Sequence, residues 1–328
     1  MTLLNIVYII IGVALVLWGA DRLTEGASSL ARGMNVPEIV IGLTIVAAGT
    51  SAPELFVSLV SALKGTADLA VGNVIGSNIF NTTLIVGCSA LVAPMAVQKS
   101  TVRKDIPFAV VASLLLFVLC FDDMESPHLW GNEISRSDGF VLLIGFVGFM
   151  IYTFYVTKKD GLMPTEEELE ENAEKPNDYS QLWRNLFWIV FGLGCLIYGS
   201  NLFVDSATYV AHRFGVRQSV IGLTIVAGGT SLPELATSVV AAYKGRSAIA
   251  IGNVIGSNVF NILLILGTTA VIHPLRIMGI TIVDLMMLLV TIGFLWLFAF
   301  TKYYVSRREG LVLIASFMLY ICWLFYLL

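Results

Sequence analysis

Long apolar runs separated by short polar breaks dominate the chain, and their length suits a bilayer. Stretches near 5–21, 38–63, 69–93, 106–121, 139–157, 184–204, 218–243, 249–272, 280–300 and 310–327 are apolar over most of their length. A helix needs about 18 to 20 such residues to cross hydrocarbon. The pattern therefore predicts an all-α integral membrane protein with ten transmembrane helices. The one long polar stretch, KKDGLMPTEEELEENAEKPNDYS, runs from Lys158 to Ser180. It reads as an acidic cytoplasmic linker over 158–183, a solvated tether with no EF-hand spacing. Thr165 followed by Glu166, Glu167 and Glu168 can cap and start a short helix within it.

The pattern also repeats. A shift of 180 residues superposes the halves without a gap, and 29 of 42 positions are identical between Val40–Asn81 and Val220–Asn261. Gly12 and Gly19 fall on Gly192 and Gly199 under the same shift. The units are a first five-helix repeat over 1–157, with its motif at 40–81, and a second over 184–328, with its motif at 220–261. A unit with an odd number of spans re-enters the membrane from the opposite face, so the repeats are expected to be inverted. In such arrangements, interrupted helices at matching positions point to a binding site near the midplane.

Composition agrees: 57% of residues are hydrophobic and 13% charged, where a soluble domain has about a quarter charged. With the N-terminus outside, the nineteen Lys and Arg divide 14 to 5 in favour of the cytoplasmic loops, which places both termini outside. The first span lacks a basic segment before it and a cleavage site after it, and is expected to be retained. Multi-pass insertion in the plasma membrane, or the inner membrane of a bacterium, follows. Cys88, Cys120, Cys195 and Cys322 show no CxxC spacing, and His128, His212 and His273 stand singly. Redox, zinc and haem chemistry are therefore not expected, nor is any cofactor.

The chemistry concentrates in two strings, GTSAPE at Gly49–Glu54 and GTSLPE at Gly229–Glu234. Pro53 and Pro233 remove an amide donor and crowd the carbonyl four residues back. The residue before each proline is pushed from helical angles, so the first helix is expected to open around Ala47 to Pro53. Glu54 and Glu234 follow at once, although a carboxylate at mid-bilayer costs on the order of 3 kcal/mol. Thr50, Glu54 and Ser58 share one helix face, and Asn73, Ser77 and Asn81 share another; Thr230, Glu234, Ser238 and Asn253, Ser257, Asn261 repeat both. These are oxygen and amide ligands only, which suits hard cations. Gly72, Gly76, Gly252 and Gly256 have the spacing of close helix packing, and Asn73 and Asn253 can serve either as braces or as site lining. Asp284 is expected to be interfacial.

With GNVIGSNIFN and GNVIGSNVFN following the two strings, the chain resembles the cation/calcium exchanger superfamily, in its compact prokaryotic sodium/calcium exchanger form, over its whole length. The resemblance implies ten helices in two inverted repeats, with broken helices 2, 3, 7 and 8 forming a central ion site. It implies that Glu54, Glu234, Thr50 and Thr230 hold calcium. Sodium would draw on Ala47, Thr50, Ser51, Glu54 and Ser77, and on Ala227, Thr230, Ser231, Glu234 and Ser257. Asn81 and Asn261 flank the site, and Pro53, Pro233, Asn73 and Asn253 line or brace it. Many members carry Asp where Asn261 stands, so this chain has one titratable group fewer and two formal charges to balance one Ca2+.

The expected activity is exchange of Ca2+ for Na+ by alternating access, with the first and sixth helices sliding against the others. A Ca2+/H+ antiporter using the same glutamates and a passive cation channel are the alternatives. No Ser–His, paired-Asp or HExxH constellation suggests an enzyme. The expected partners are inorganic cations and the lipid bilayer, with no nucleic acid, and the chain is expected to work as a monomer.

Overall fold

The computed structural model describes residues 2–34, 36–120, 133–159, 179–214, 227–277 and 280–327. Within them the backbone is helical almost throughout. In hydrocarbon every amide and carbonyl must find a partner inside the protein, and a helix provides one locally. In chain order the helices are α1 (Thr2–Gly33), α2 (Glu38–Thr50), α3 (Ala52–Leu63), α4 (Ala67–Val92) and α5, a π-helical turn Thr101–Asp105 continuing as Ile106–Leu119. Then come α6 (Arg136–Lys159), α7 (Tyr179–Arg213), α8 (Ala227–Thr230), α9 (Leu232–Tyr243), α10 (Ser247–Ile272), α11 (Ile282–Lys302) and α12 (Arg307–Leu327).

Among the described residues, α1, α4, α6, α7, α10 and α11 are each long and apolar enough to cross a membrane, and the bent pair α2–α3 makes a seventh span. The protein is thus a multi-pass membrane protein. Residues 218–226, where the seventh of the expected spans begins, lie outside the described residues, as do His128 and residues 160–178 of the linker. Tyr179 to Trp183, which the sequence assigns to that linker, form the start of α7.

Two small ribbons depart from the all-helical expectation. β1 (Met95–Ala96) pairs antiparallel with β4 (Tyr304–Val305), and β2 (Glu133–Ile134) with β3 (Leu275–Arg276). Each ties together two helix-connecting segments distant in sequence, which periodicity within one segment cannot reveal.

The 180-residue offset reappears in the element bounds. It carries α3 onto α9, α4 onto α10 and β1 onto β3. For the last helix of each half the offset is 171, carrying β2 onto β4 and Gly139 onto Gly310, so the gapless superposition expected from the sequence does not extend to α6 and α12. Packing repeats under the two offsets together, with Gly87 of α4 against Gly310 of α12 and Gly267 of α10 against Gly139 of α6. α1 and α7 run antiparallel along a glycine seam, with Gly12 against Gly199 and Gly19 against Gly192. A Cβ on Gly12 would lie 2.8 Å from the Gly199 carbonyl, and one on Gly19 2.7 Å from that of Gly192, so only glycine permits this approach. α10 is enclosed on nearly all sides, whereas α1 and α7 bury only a minority of their surface.

The expected opening of α2 takes a different form. Gly42–Val46 is a π-helical turn, Ala47–Thr50 returns to α-helix, and the break is confined to Ser51 at φ −81°, ψ 5°. There the axis bends by 45° and α3 begins at Ala52. Ser51 donates its amide to the Ala47 carbonyl at 3.0 Å, and Leu55 donates to the Ser51 carbonyl at 3.1 Å, so bonding resumes immediately. Pro53 sits in the first turn of α3, where an amide would have no intrahelical acceptor in any case. That is why the proline bends the span without unwinding it. Ser231, at φ −90°, ψ 8°, occupies the equivalent place before α9.

Candidate functional site

The two breaks bring the paired acids together at the centre of the molecule. Glu54 and Glu234 stand in the first turns of α3 and α9, where the unsatisfied amides of a helix start favour negative charge. Their residues are 0% and 1% exposed. Each is held from the other half: Ser51 Oγ donates to Glu234 Oε1 at 3.1 Å, and Ser231 Oγ donates to Glu54 Oε1 at 3.1 Å. Ser231 Oγ also lies 3.2 Å from Ser77 Oγ of α4.

The second oxygen of each carboxylate, Glu54 Oε2 and Glu234 Oε2, is buried and receives no hydrogen bond. The same is true of Asn81 Oδ1, Asn261 Oδ1 and Ser257 Oγ. A buried acceptor left without a donor is costly. Two carboxylate and two carboxamide oxygens are thus left without donors, and oxygens of this kind are what a hard cation takes as ligands. No group of three or more His, Cys, Asp or Glu that could hold a metal occurs among the described residues, so any cation here relies on neutral oxygens beside the two charged ones.

The remaining expected residues take several roles. Asn73 Nδ2 donates to Ser58 Oγ at 3.1 Å and to the Glu54 carbonyl at 3.4 Å; Asn253 Nδ2 donates to Ser238 Oγ at 3.0 Å and to the Glu234 carbonyl at 3.4 Å. Both asparagines thus brace the acid-bearing helices. Thr50 donates its hydroxyl to Asn253 Oδ1 at 3.1 Å, crossing between the halves. Ala47 is buried at the foot of the short α-helical stretch before the break, Thr230 is half-buried, and Ala227 opens α8. Pro53 is half-buried and Pro233 buried.

Gly252 and Gly256 pack as their spacing predicts. A Cβ on Gly256 would lie 2.6 Å from the Leu43 carbonyl, and one on Gly252 2.8 Å from that of Ile39, so α10 and α2 meet backbone to backbone. A Cβ on Gly72 would lie 3.5 Å from Ile280 Cδ1, and one on Gly76 would meet no atom within 4 Å among the described residues. Asp284, expected from the sequence to stand alone, has partners. It is buried, closes a capping box with Thr281, and accepts the Tyr320 hydroxyl at 2.6 Å. Its position three residues after Thr281 is a cap signature, whereas its meeting with Tyr320 of α12 depends on tertiary packing.

Asn78 and Asn258 were not singled out by spacing. Asn261 Nδ2 donates to Asn78 Oδ1 at 2.9 Å, and Asn81 Nδ2 donates to Asn258 Oδ1 at 3.2 Å. The available signal was their identity at matching places in GNVIGSNIFN and GNVIGSNVFN. Both flanking asparagines lie where the backbone changes pitch, Asn81 opening the π-helical turn Asn81–Ile85 and Asn261 inside Phe260–Leu266. Such bulges often occur at functional sites.

The family model described as sodium/calcium exchanger protein matches residues 4–155 and 184–326. Putative antiporter CaxA of Alkalimonas amylolytica is 38% identical over 270 residues, covering 82% of this chain and 81% of its own. Sodium/calcium exchanger MaX1 of Methanosarcina acetivorans is 31% identical over 350 residues and covers 100% of both. Among solved structures, the sodium-calcium exchanger NCX_Mj, soaked with 10 mM Na+ and zero Ca2+, superposes with a TM-score of 0.83 at 32% identity, covering 98% of this chain and 99% of its own.

Proposed function

The chain belongs to the sodium/calcium exchanger protein family, and from that premise we propose that it exchanges Ca2+ for Na+ across the membrane by alternating access. It is a cation-exchange transporter rather than an enzyme. One observation carries the assignment: each buried glutamate offers one oxygen to a serine of the opposite half and keeps the other free of any donor. A calcium ion between Glu54 and Glu234 would balance both charges, with Thr50 and Thr230 contributing further oxygen. Sodium ions would use the same acids together with Ala47, Ser51 and Ser77 on one side and Ala227, Ser231 and Ser257 on the other. Sharing makes the two loads mutually exclusive, and an unliganded pair of buried charges would resist reorientation.

The full architecture belongs to the same reading: ten spans in two inverted five-helix repeats, over 1–157 and 184–328, with both termini outside. The antiparallel α1–α7 seam and the repeated glycine packing pairs support it. Both halves of the site lie in one polypeptide, so a monomer suffices.

A proton-coupled variant is favoured by one feature. With Asn81 and Asn261 neutral, Glu54 and Glu234 are the only ionisable groups of the site among the described residues, and two protons would neutralise them as one Ca2+ does. Calcium uptake into proteoliposomes, with sodium and proton gradients imposed separately, discriminates: uptake driven by sodium alone is expected. Glu54→Gln and Glu234→Gln should each abolish uptake while leaving a monodisperse protein. Undiminished uptake in either variant would defeat the proposed site, and a steady calcium leak without countertransport would point to a channel.

A further inference from the structure

Two neutral residues in this site can ligand a cation only if their carboxamides face the right way, because one end of each carries an oxygen lone pair and the other a pair of N–H donors. The surrounding hydrogen bonds decide which end is presented. Asn78 Nδ2 lies 3.2 Å from the Asn258 carbonyl. A backbone carbonyl only accepts, so Asn78 must turn its nitrogen there and its Oδ1 towards Asn261. Asn261 in turn must place Nδ2 against Asn78 Oδ1, at 2.9 Å, which leaves Asn261 Oδ1 as the buried oxygen without a donor.

The second chain of bonds runs the other way to the same end. The Thr82 hydroxyl donates to the Asn78 carbonyl at 2.8 Å, so its lone pairs face Asn258, whose Nδ2 donates to it at 2.7 Å. Asn258 Oδ1 then receives Asn81 Nδ2 at 3.2 Å, and Asn81 Oδ1 is left without a donor. Each relay is thus anchored on the main-chain carbonyl of the residue that works in the other. Asn78 and Asn258 are both buried and belong to α4 and α10, the helices that carry the flanking asparagines.

We propose that Asn78 and Asn258 are positioning residues that aim the carboxamide oxygens of Asn261 and Asn81 at the transported cation, with Thr82 setting the direction of the second relay. The inference rests on the cation site proposed above. It gives a neutral asparagine at 261 the function of an oxygen ligand without adding a charge, through a partner that touches no ion. A carboxylate presents an oxygen at both ends and needs no such aiming, which makes the idea separable from a general packing role.

The test is calorimetric binding of Ca2+ and of Na+ to the purified full-length protein in detergent. Asn78→Leu, which keeps the bulk and removes both hydrogen bonds, should weaken binding by about tenfold, as loss of a partner behind a metal ligand does. Asn261→Asp added to Asn78→Leu should return affinity to within about twofold of wild type, a non-additive outcome that measures the coupling directly. Thr82→Val, near-isosteric and mild, provides the second arm: it should weaken binding severalfold and be rescued by Asn81→Asp.

Wild-type affinity in both Asn78→Leu and Thr82→Val would overturn the proposal. So would equal weakness of the single and double variants in protein that elutes as a folded monomer. Separate flux assays keep the underlying reading distinguishable: binding that follows this pattern in a protein that does not exchange ions would refute exchange and leave the positioning intact. A wild type that binds neither cation would overturn both.

Discussion

Ser51 and Ser231 each stand at the break between one helix and the next and donate to the glutamate of the opposite half. A hydrogen bond to a charged group contributes about 1.5–3 kcal/mol, roughly a tenfold or larger effect on an equilibrium. Ser51→Ala is therefore expected to weaken calcium binding by about tenfold, since Glu234 would lose the donor that fixes which oxygen faces the site. Ser231→Ala should cost more, because its hydroxyl also meets Ser77 Oγ. Titration calorimetry on the two variants checks the order, and unchanged affinity in both would mean the serines merely shape the bend.

At the level of elements, the site depends on how closely α10 approaches α2, and glycine sets that approach. A methyl group on Gly256 would meet the Leu43 carbonyl at 2.6 Å and the Ala47 Cβ at 2.7 Å, atoms that cannot swing aside. Gly256→Ala should destabilise the protein by about 1–3 kcal/mol through overpacking and displace Ala47 beside the site. Gly148 of α6 is exposed, and a methyl group there would meet no atom within 4 Å. Gly148→Ala should be neutral or stabilising by up to about 1 kcal/mol, from helix propensity alone. Thermal unfolding in detergent compares the two, and equal midpoints would refute the steric account.

For the molecule as a whole, the ion pairs that hold α1 and α7 to the other half are dissimilar. Near one end, Lys244 after α9 pairs with Asp21 at 2.5 Å and with Glu25 at 3.0 Å of α1, and Arg246 pairs with Glu38 of α2 at 3.0 Å. Glu38 also accepts from Ser28 of α1. The residues 180 positions away from Lys244 and Glu25 are Lys64 and Asp205, and among the described residues no ion pair joins them. This conformation ties α1 to α9 without a matching tie between α7 and α3. On the proposed mechanism those pairs must break when the opposite face closes. Lys244→Gln should shift the population towards separation of α1 from α9 by about two- to fivefold, the scale of exposed ion pairs, whereas Lys64→Gln should leave it unmoved. Spin-label distances between α1 and α9 measure the shift, and identical distributions in both variants would count against the tie.

How much of this was legible beforehand depends on the range of the interaction involved. Apolar run length, the 180-residue repeat and the paired GTSAPE and GTSLPE strings are local or self-referential patterns, so the sequence by itself determined a helical membrane protein with two matched acids and the family those motifs mark. Residue identity also fixed the oxygen-only chemistry, because no thiol or imidazole accompanies Glu54 and Glu234. What only the tertiary structure decided was direction and pairing: the bend gathered into Ser51, the crosswise serine bonds, the meeting of Asp284 with Tyr320, and the relays that turn Asn81 and Asn261 oxygen-first. Those depend on which atom of a distant helix lies about 3 Å away, and an asparagine in the chain carries no trace of which end of its carboxamide will face the site. Orientation is a property of neighbours brought together by folding, whereas the capacity to bind is written in the residue itself.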